Sequence, residues 1–164
     1  VNQAMQEVID STAFIKGKDV GLFEDELAAY LDVEHVVACG NGTDALQVAM
    51  MALELEPGAE VITTPFTFIA TVEVIRLLGL IPVMVDVEED TFNLNPELLE
   101  TCISDRTRAI VPVHLFGQFF DQVRRVNIGR IGKIHRTRCQ AGHFGTHLQP
   151  LDAAFQVCTR PSPC

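Results

Sequence analysis

Residues 39–46 have the sequence Cys-Gly-Asn-Gly-Thr-Asp-Ala-Leu, which separates a hydrophobic strand pattern at 35–39 from a helical pattern at 43–55. A strand that ends at glycines and is followed at once by a helix is one way in which α/β proteins bind phosphate. The glycines let the backbone approach an anion, and the first helical N–H groups are unpaired at the positive end of the helix dipole. The stretch therefore predicts either an anion site, to which Thr43 adds a hydroxyl, or an ordinary turn capped by Asn41 or Thr43.

Residues 1–118 alternate between helical and strand patterns. The predicted elements are helices at 20–31, 43–55, 67–79 and 96–103 and strands at 35–39, 60–64, 81–87 and 108–115. Pro57-Gly58, Gly79 and Asn95-Pro96 fall at the ends of these segments, where helix breakers and helix starts belong. The strands are short and rich in apolar, β-branched residues, which suits a sheet covered on both faces. The alternation predicts an α/β fold with a mostly parallel sheet flanked by helices.

In such sheets ligands bind beyond the carboxyl ends of the strands. This rule places four short segments on one rim of the predicted sheet. They are residues 41–43, 65–68, 86–88 and 114–117. The predicted phosphate site at 41–43 would therefore share its rim with aromatic, acidic and histidine side chains.

Composition and charge limit the possible functions. The chain has 164 residues, of which 48% are hydrophobic, and a formal net charge of −10. Residues 1–118 carry 20 acidic and 5 basic side chains, and so acidic a body argues against nucleic-acid binding. We expect no membrane span and no signal peptide, because neither a long apolar run nor a basic-then-apolar start is present. Five cysteines without secretory features predict reduced thiols and a cytoplasmic protein.

Residues 119–164 form a different region. They carry 2 acidic and 7 basic side chains and lack sustained periodicity, so we expect a divergent or frame-shifted tail that is poorly ordered. Four potential metal ligands recur there at intervals of four: His135, Cys139, His143 and His147. Gly142 and Gly145 interrupt the helix that such spacing would need, so the interpretation is chance spacing and no metal site.

Several motifs in residues 1–118 together resemble one family. They are Phe14-Ile15-Lys16-Gly17-Lys18, Asn41-Gly42-Thr43-Asp44-Ala45-Leu46, Pro57-Gly58-Ala59-Glu60-Val61, Phe66-Thr67-Phe68-Ile69-Ala70-Thr71, Pro82-Val83-Met84-Val85-Asp86 and Pro112-Val113-His114-Leu115-Phe116-Gly117-Gln118. In order and spacing they resemble the N-terminal part of the DegT/DnrJ/StrS sugar aminotransferases. The resemblance implies an incomplete fold type I domain over residues 1–118 that binds pyridoxal 5'-phosphate (PLP).

The resemblance also implies an activity and partners. The intact family acts on nucleotide-linked keto-sugars, with glutamate as the usual amino donor, and makes amino sugars for surface polysaccharide. The partner of each subunit is usually an identical subunit, and the active site lies at the interface between them. We therefore expect a nucleotide-sugar substrate and neither a nucleic-acid nor a membrane partner.

Three residues are assigned to the coenzyme by the resemblance. Gly42 and Thr43 hold its phosphate, which agrees with the argument from the helix terminus, and Phe68 stacks on its pyridine ring. The alternative for Phe68 is a core side chain on helix 67–79. Asp44 and Asp86 are interpreted as a helix-terminal acid and a turn residue. His114 is more often structural than catalytic in such a place.

The family's reactive lysine is not found in its expected motif. It should form the Schiff base with PLP and shuttle the proton, but Lys133 is the one lysine after residue 18, and its neighbours do not match. No Asp-x-Ala-Gln carboxylate motif is present either, although Gln140-Ala141 lies near the expected place. We therefore assign no catalytic residue and expect a fragment that is inactive alone. The alternative is a non-catalytic dimerisation partner of a full-length family member.

Overall fold

The computed structural model describes residues 1–117. The helices are α1 (Asn2–Ser11), α2 (Lys18–Leu31), α3 (Gly42–Met51), α4 (Ala70–Leu77) and α5 (Pro96–Cys102), and the strands are β1 (Glu60–Thr63), β2 (Ile81–Met84) and β3 (Thr107–Ile110). A single 3₁₀ turn, Leu115–Gly117, follows β3. The chain divides into two compact units, Val1–Gly40 and the residues from Asn41 onward. The predicted boundary at residue 118 and the predictions for the tail lie outside the described residues.

The second unit is built on a parallel sheet. Its strand order is β2-β1-β3, and β1 pairs in parallel with both neighbours. The pairing of β1 with β2 is regular, whereas the register with β3 shifts after Glu60, so that Val61 lies opposite Ala109. The predicted α/β class with a parallel sheet is confirmed.

Helices cover both faces of this sheet. On one face, Val61 and Ala109 pack with Leu46 of α3 and Val74 of α4 in one buried cluster. On the other face, Ile62 and Ile110 pack with Leu99 of α5. Consecutive strand residues point to opposite faces, so the apolar runs in β1 and β3 supply both clusters. A fully buried Ile or Val side chain contributes roughly 1.5–3 kcal/mol, which makes these clusters the stabilising centre of the unit.

The first unit contains α1 and α2, and neither helix has a fully buried side chain. The loop between them requires glycine at position 17, because a Cβ there would lie 2.5 Å from the carbonyl oxygen of Ala13. The Glu24 carboxylate accepts a hydrogen bond from the Ala38 amide at 2.8 Å. The sequence predicted α2 closely but gave no helix for α1.

The strand predicted at 35–39 is wrong. This segment is not assigned to a strand, and Val37 is 71% exposed. A strand exists only where its amides and carbonyls pair with a neighbour, and the described residues pair β1 with β2 and β3 and form one isolated bridge between Val87 and Leu94. Residues 35–39 therefore have the apolar pattern of a strand but do not join the sheet of the described residues.

Three predicted helices are shorter in the structure. Helix 43–55 ends at Met51, helix 67–79 begins at Ala70, and helix 96–103 ends at Cys102. The predicted strands also shorten at one or both ends. In residues 1–117 no helix is long and apolar enough to span a membrane.

The amino end of the sheet is closed by a buried carboxylate. Glu60, the first residue of β1, is 6% exposed. Its carboxylate pairs with the Arg106 guanidinium at 2.5 Å and accepts hydrogen bonds from the hydroxyls of Ser104 and Thr107. The Glu60 amide also donates to the Arg106 carbonyl at 2.9 Å. A buried charge needs such partners, and this network joins β1 to the start of β3.

A candidate coenzyme site at the carboxyl edge of the sheet

The loops that follow the three strands lie at one edge, because parallel strands end together. The chain runs from β1 to β2 on one side and then to β3 on the other, with α4 and α5 on opposite faces. The strand order therefore reverses between β1 and β3, and ligands of open α/β sheets bind beyond the strand ends at such a point. We call this end, with residues 64–69, 85–95 and 111–117, the carboxyl edge.

The first turn of α3 also lies toward the carboxyl edge. The helix packs on the sheet through Leu46 and Met50, and a short connection after Met51 leads to the start of β1. The helix must therefore run antiparallel to β1, with its N-terminus toward the end where β1 finishes. This direction brings Gly42 and Thr43 to the edge at which the sequence placed them.

Hydrogen bonding at the start of α3 leaves two amides available. Asn41 is the cap: its Oδ1 accepts from the Asp44 amide at 3.0 Å, and its carbonyl accepts from the Ala45 amide at 3.0 Å. The Asn41 Nδ2 donates to the Asp44 carboxylate at 2.9 Å, so that side chain is held by the cap. The amides of Gly42 and Thr43 make no hydrogen bond within residues 1–117. The turn is thus both capped by Asn41 and able to bind an anion.

Gly42 has no structural requirement for glycine among the described residues. Its φ is not positive, and a Cβ built on it would meet no heavy atom within 4 Å. Neither backbone conformation nor packing therefore explains glycine here, unlike at Gly17. An open approach to the backbone at a helix N-terminus is what an oxyanion needs, so the site fits a phosphate group.

Phe68 is not a core residue. It lies in the loop between β1 and α4, two positions before the helix begins, and it is 75% exposed. The alternative that placed it inside a helical core is therefore wrong, because α4 starts later than its apolar pattern suggested. An exposed phenylalanine at the carboxyl edge keeps the face of its ring available to a flat ligand.

The other residues singled out from the sequence have structural surroundings. Asp86 follows β2, and its carboxylate accepts a hydrogen bond from the Val87 amide at 2.8 Å. Asp44 lies in the first turn of α3, as expected. His114 is 8% exposed beyond the end of β3.

Sequence reasoning placed Phe66 and Phe116 at the carboxyl edge without giving either a role, and it did not place Phe92 there. Phe66 and Phe92 form a ring pair, and Phe116 is 71% exposed. Phe92 and Phe116 both have a positive φ, near 55°. The position of each phenylalanine just after a predicted strand was the available signal.

Metal binding has no support in the described part of the chain. Residues 1–117 contain no group of three or more His, Cys, Asp or Glu side chains that could hold an ion. The cysteines in that range, Cys39 and Cys102, form no disulfide. The tail quartet that begins at His135 lies outside the described residues.

Comparison with known proteins gives consistent matches. The UDP-2-acetamido-2-deoxy-3-oxo-D-glucuronate aminotransferase of Pseudomonas aeruginosa is 46% identical over 121 residues, which cover 74% of this chain and 34% of that protein. The dTDP-3-amino-3,4,6-trideoxy-alpha-D-glucose transaminase of Streptomyces venezuelae is 42% identical over 114 residues, 70% of this chain and 30% of that protein. The chain thus spans about a third of the length of the curated relatives it matches.

A solved structure agrees with the sequence matches. The crystal structure of NtdA from Bacillus subtilis, with bound cofactor PMP, superposes with a TM-score of 0.72 at 35% identity and covers 78% of this chain and 30% of that one. A profile of the DegT/DnrJ/EryC1/StrS aminotransferases matches residues 1–132, which extends past the last recognisable motif at residue 118. The chain belongs to the DegT/DnrJ/EryC1/StrS aminotransferase family.

Proposed function

We propose that this chain is the coenzyme-binding part of a PLP-dependent aminotransferase that acts on nucleotide-linked keto-sugars. The observation that carries the proposal is the pair of uncommitted amides at Gly42 and Thr43, beside an open glycine at the carboxyl edge of a parallel sheet. The curated relatives act, by their names, on UDP- and dTDP-linked sugars. The relatives therefore support the substrate class, and the chemistry at the start of α3 supports the coenzyme.

Gly42 and Thr43 hold the coenzyme phosphate in this proposal. Two amides converge on the anion, the hydroxyl of Thr43 adds a third donor, and the helix dipole contributes about half a positive charge. The Asn41 side chain bonds to the amide and the carboxylate of Asp44. It therefore holds the negative Asp44 side chain at the cap, while the Gly42 and Thr43 amides remain available to the phosphate. Fixing the phosphate fixes the orientation of the whole coenzyme.

Phe68 contacts the face of the coenzyme ring. Its exposed ring gives a flat apolar surface to a flat π-system and excludes water from that side. When bound, PLP supplies the electron sink that transamination uses. The protein's part at this edge is to bind and orient that group.

The amine chemistry requires groups beyond those described. The sequence contains three lysines, Lys16, Lys18 and Lys133, and none stands in the family's lysine motif. We infer that the chain alone binds the coenzyme weakly and without a covalent link, and that it does not transaminate. A visible absorbance band abolished by borohydride would contradict this inference. Glutamate as amino donor and assembly as a homodimer belong to the same proposal for the intact enzyme.

The test of the phosphate site is a binding comparison. Isothermal titration should detect pyridoxamine 5'-phosphate binding that is lost with pyridoxamine, which lacks only the phosphate. Thr43→Val should weaken that binding about tenfold, because a hydrogen bond to a charged group contributes roughly 1.5–3 kcal/mol. Thr101→Val, at an exposed threonine of α5, is the matched control. Equal affinity for the two pyridoxamines would overturn the proposed function.

A further inference from the structure

Phe66 and Phe92 form an exposed aromatic pair between two loops of the carboxyl edge. Their ring centroids are 5.4 Å apart and the rings are tilted by 39°. Phe66 follows β1 and is 48% exposed, and Phe92 follows β2 and is 41% exposed. Each ring packs against the other and leaves about half of its surface in water, so the pair presents an apolar aromatic surface rather than a buried core contact.

The loop that carries Phe92 is held in a costly conformation. Phe92 has φ near 55°, a left-handed conformation that is unusual for a bulky side chain. The next residue, Asn93, is 6% exposed, and its Oδ1 has no hydrogen-bond partner within residues 1–117. Each feature costs roughly 1–3 kcal/mol. Backbone strain persists where surrounding structure enforces it, and it clusters at ligand sites.

Glu88 enforces this conformation. Its carbonyl accepts from the Phe92 amide and its amide donates to the Asn93 carbonyl, both at 2.9 Å. Its carboxylate accepts from the Thr91 hydroxyl at 2.9 Å. The backbone that carries Phe92 is thus fixed before any ligand arrives, which lowers the entropy cost of binding.

The charge around the pair selects among ligands. The carboxyl edge, as defined above, contains no lysine or arginine, whereas residues 86–90 include Asp86, Glu88, Glu89 and Asp90. The negative charge of a diphosphate would be repelled by these carboxylates. A neutral flat ring would not be repelled and could stack on the two phenylalanines. Nucleobases are neutral and flat, and stacking on an aromatic side chain tolerates different bases because every base has a π-face.

We propose that Phe66 and Phe92 form the platform on which the nucleobase of the nucleotide-sugar substrate stacks. The inference rests on the proposed function and adds to it a subsite of this chain. Phe66 lies two residues before Phe68, so the platform adjoins the surface assigned to the coenzyme ring. The diphosphate then lies away from residues 86–90.

The test uses uridine and ribose, which differ only in the base and carry no phosphate. With the chain labelled on its phenylalanine rings, NMR titration should show uridine, and not ribose, shifting the Phe66 and Phe92 signals. Phe66→Leu and Phe92→Leu each keep an apolar side chain but lose the flat face, and should weaken uridine binding about tenfold. Phe23→Leu, at a phenylalanine of α2 that is 45% exposed, should leave it unchanged.

Three outcomes would overturn the platform. The first is that ribose shifts the Phe66 and Phe92 signals as much as uridine does. The second is that the Phe66 and Phe92 variants bind uridine as tightly as the Phe23 control. The third is that these variants change only the sedimentation of the chain, which would make the pair a contact between copies. Circular dichroism checks that each variant is folded. Pyridoxamine 5'-phosphate is titrated into the same samples. If the unsubstituted chain binds the coenzyme but not uridine, the platform alone is rejected, whereas absent coenzyme binding in that chain rejects the proposed function.

Discussion

The two ends of the central sheet are built in opposite ways. At the amino end, the carboxylate of Glu60 is buried and engaged by Arg106, Ser104 and Thr107. At the carboxyl edge, Phe68 is 75% exposed, and the Gly42 and Thr43 amides have no acceptor within residues 1–117. One end satisfies its polar groups internally, and the other leaves donors and aromatic rings to be satisfied from outside.

This contrast separates stability from binding in the same small unit. A buried charge with all its partners joins β1 to the start of β3, and removing one partner exposes the full desolvation cost of the others. Exposed rings and free amides contribute little to folding, and in the proposed function they serve to bind a ligand. Substitutions at the amino end should therefore change the free energy of unfolding, and those at the carboxyl edge should change the affinity for the coenzyme.

The largest expected effect is at the amino end. Glu60→Ala leaves two hydroxyls and a guanidinium without their acceptor, and should lower the free energy of unfolding by about 2 kcal/mol. The loss is moderated because the Arg106 side chain is 69% exposed and can be solvated. Urea denaturation measures it, with Glu73→Ala on the exposed face of α4 as control. Equal stability of the two variants would show that the amino end is not the stabilising one.

The second effect separates the two ends most clearly. Gly42→Ala should weaken pyridoxamine 5'-phosphate binding about tenfold, because the added methyl group occupies the approach of the anion. Its stability should stay unchanged or rise by up to about 1 kcal/mol, since alanine favours helix over glycine.

Gly21→Ala is the matched control for this substitution. Gly21 lies inside α2, and a Cβ there also meets no atom within 4 Å. It should give the same gain in stability with no change in affinity. Calorimetry and thermal denaturation of both variants would contradict the account if Gly42→Ala bound the coenzyme as well as Gly21→Ala does.

The smallest effect is at the aromatic ring assigned to the coenzyme. Phe68→Leu should weaken coenzyme binding about fivefold, because a stacked ring contributes roughly 0.5–1.5 kcal/mol beyond its area. Stability should change by less than about 0.5 kcal/mol, as at other exposed positions. Phe14→Leu, at a ring that is 66% exposed in the first unit, provides the comparison. A large loss of stability in Phe68→Leu but not in Phe14→Leu would show that Phe68 is a core residue.

Much of the second unit could be predicted because its signals are local. Apolar runs in β1, β2 and β3, Pro96 at the start of α5 and glycine after α4 fix the alternation without any knowledge of contacts. The amides at Gly42 and Thr43 could also be predicted, because the first N–H groups of any helix have no partner within the helix.

The remaining features depend on partners that are distant in sequence. The segment 35–39 has a strand pattern but belongs to no strand of the sheet described in residues 1–117. The network at Glu60 joins residues 44 and more positions apart, which no local pattern reveals. The pairing of Phe66 with Phe92 likewise arises only when β1 and β2 lie side by side.

The most direct test of the central claim is a two-dimensional amide NMR titration of the uniformly ¹⁵N-labelled chain. Pyridoxamine 5'-phosphate should produce its largest amide shifts at Gly42 and Thr43, and pyridoxamine should leave both unmoved. If the two ligands shift the same signals, or if the phosphorylated ligand moves amides elsewhere and leaves these two in place, the start of α3 does not bind the phosphate and the account is wrong.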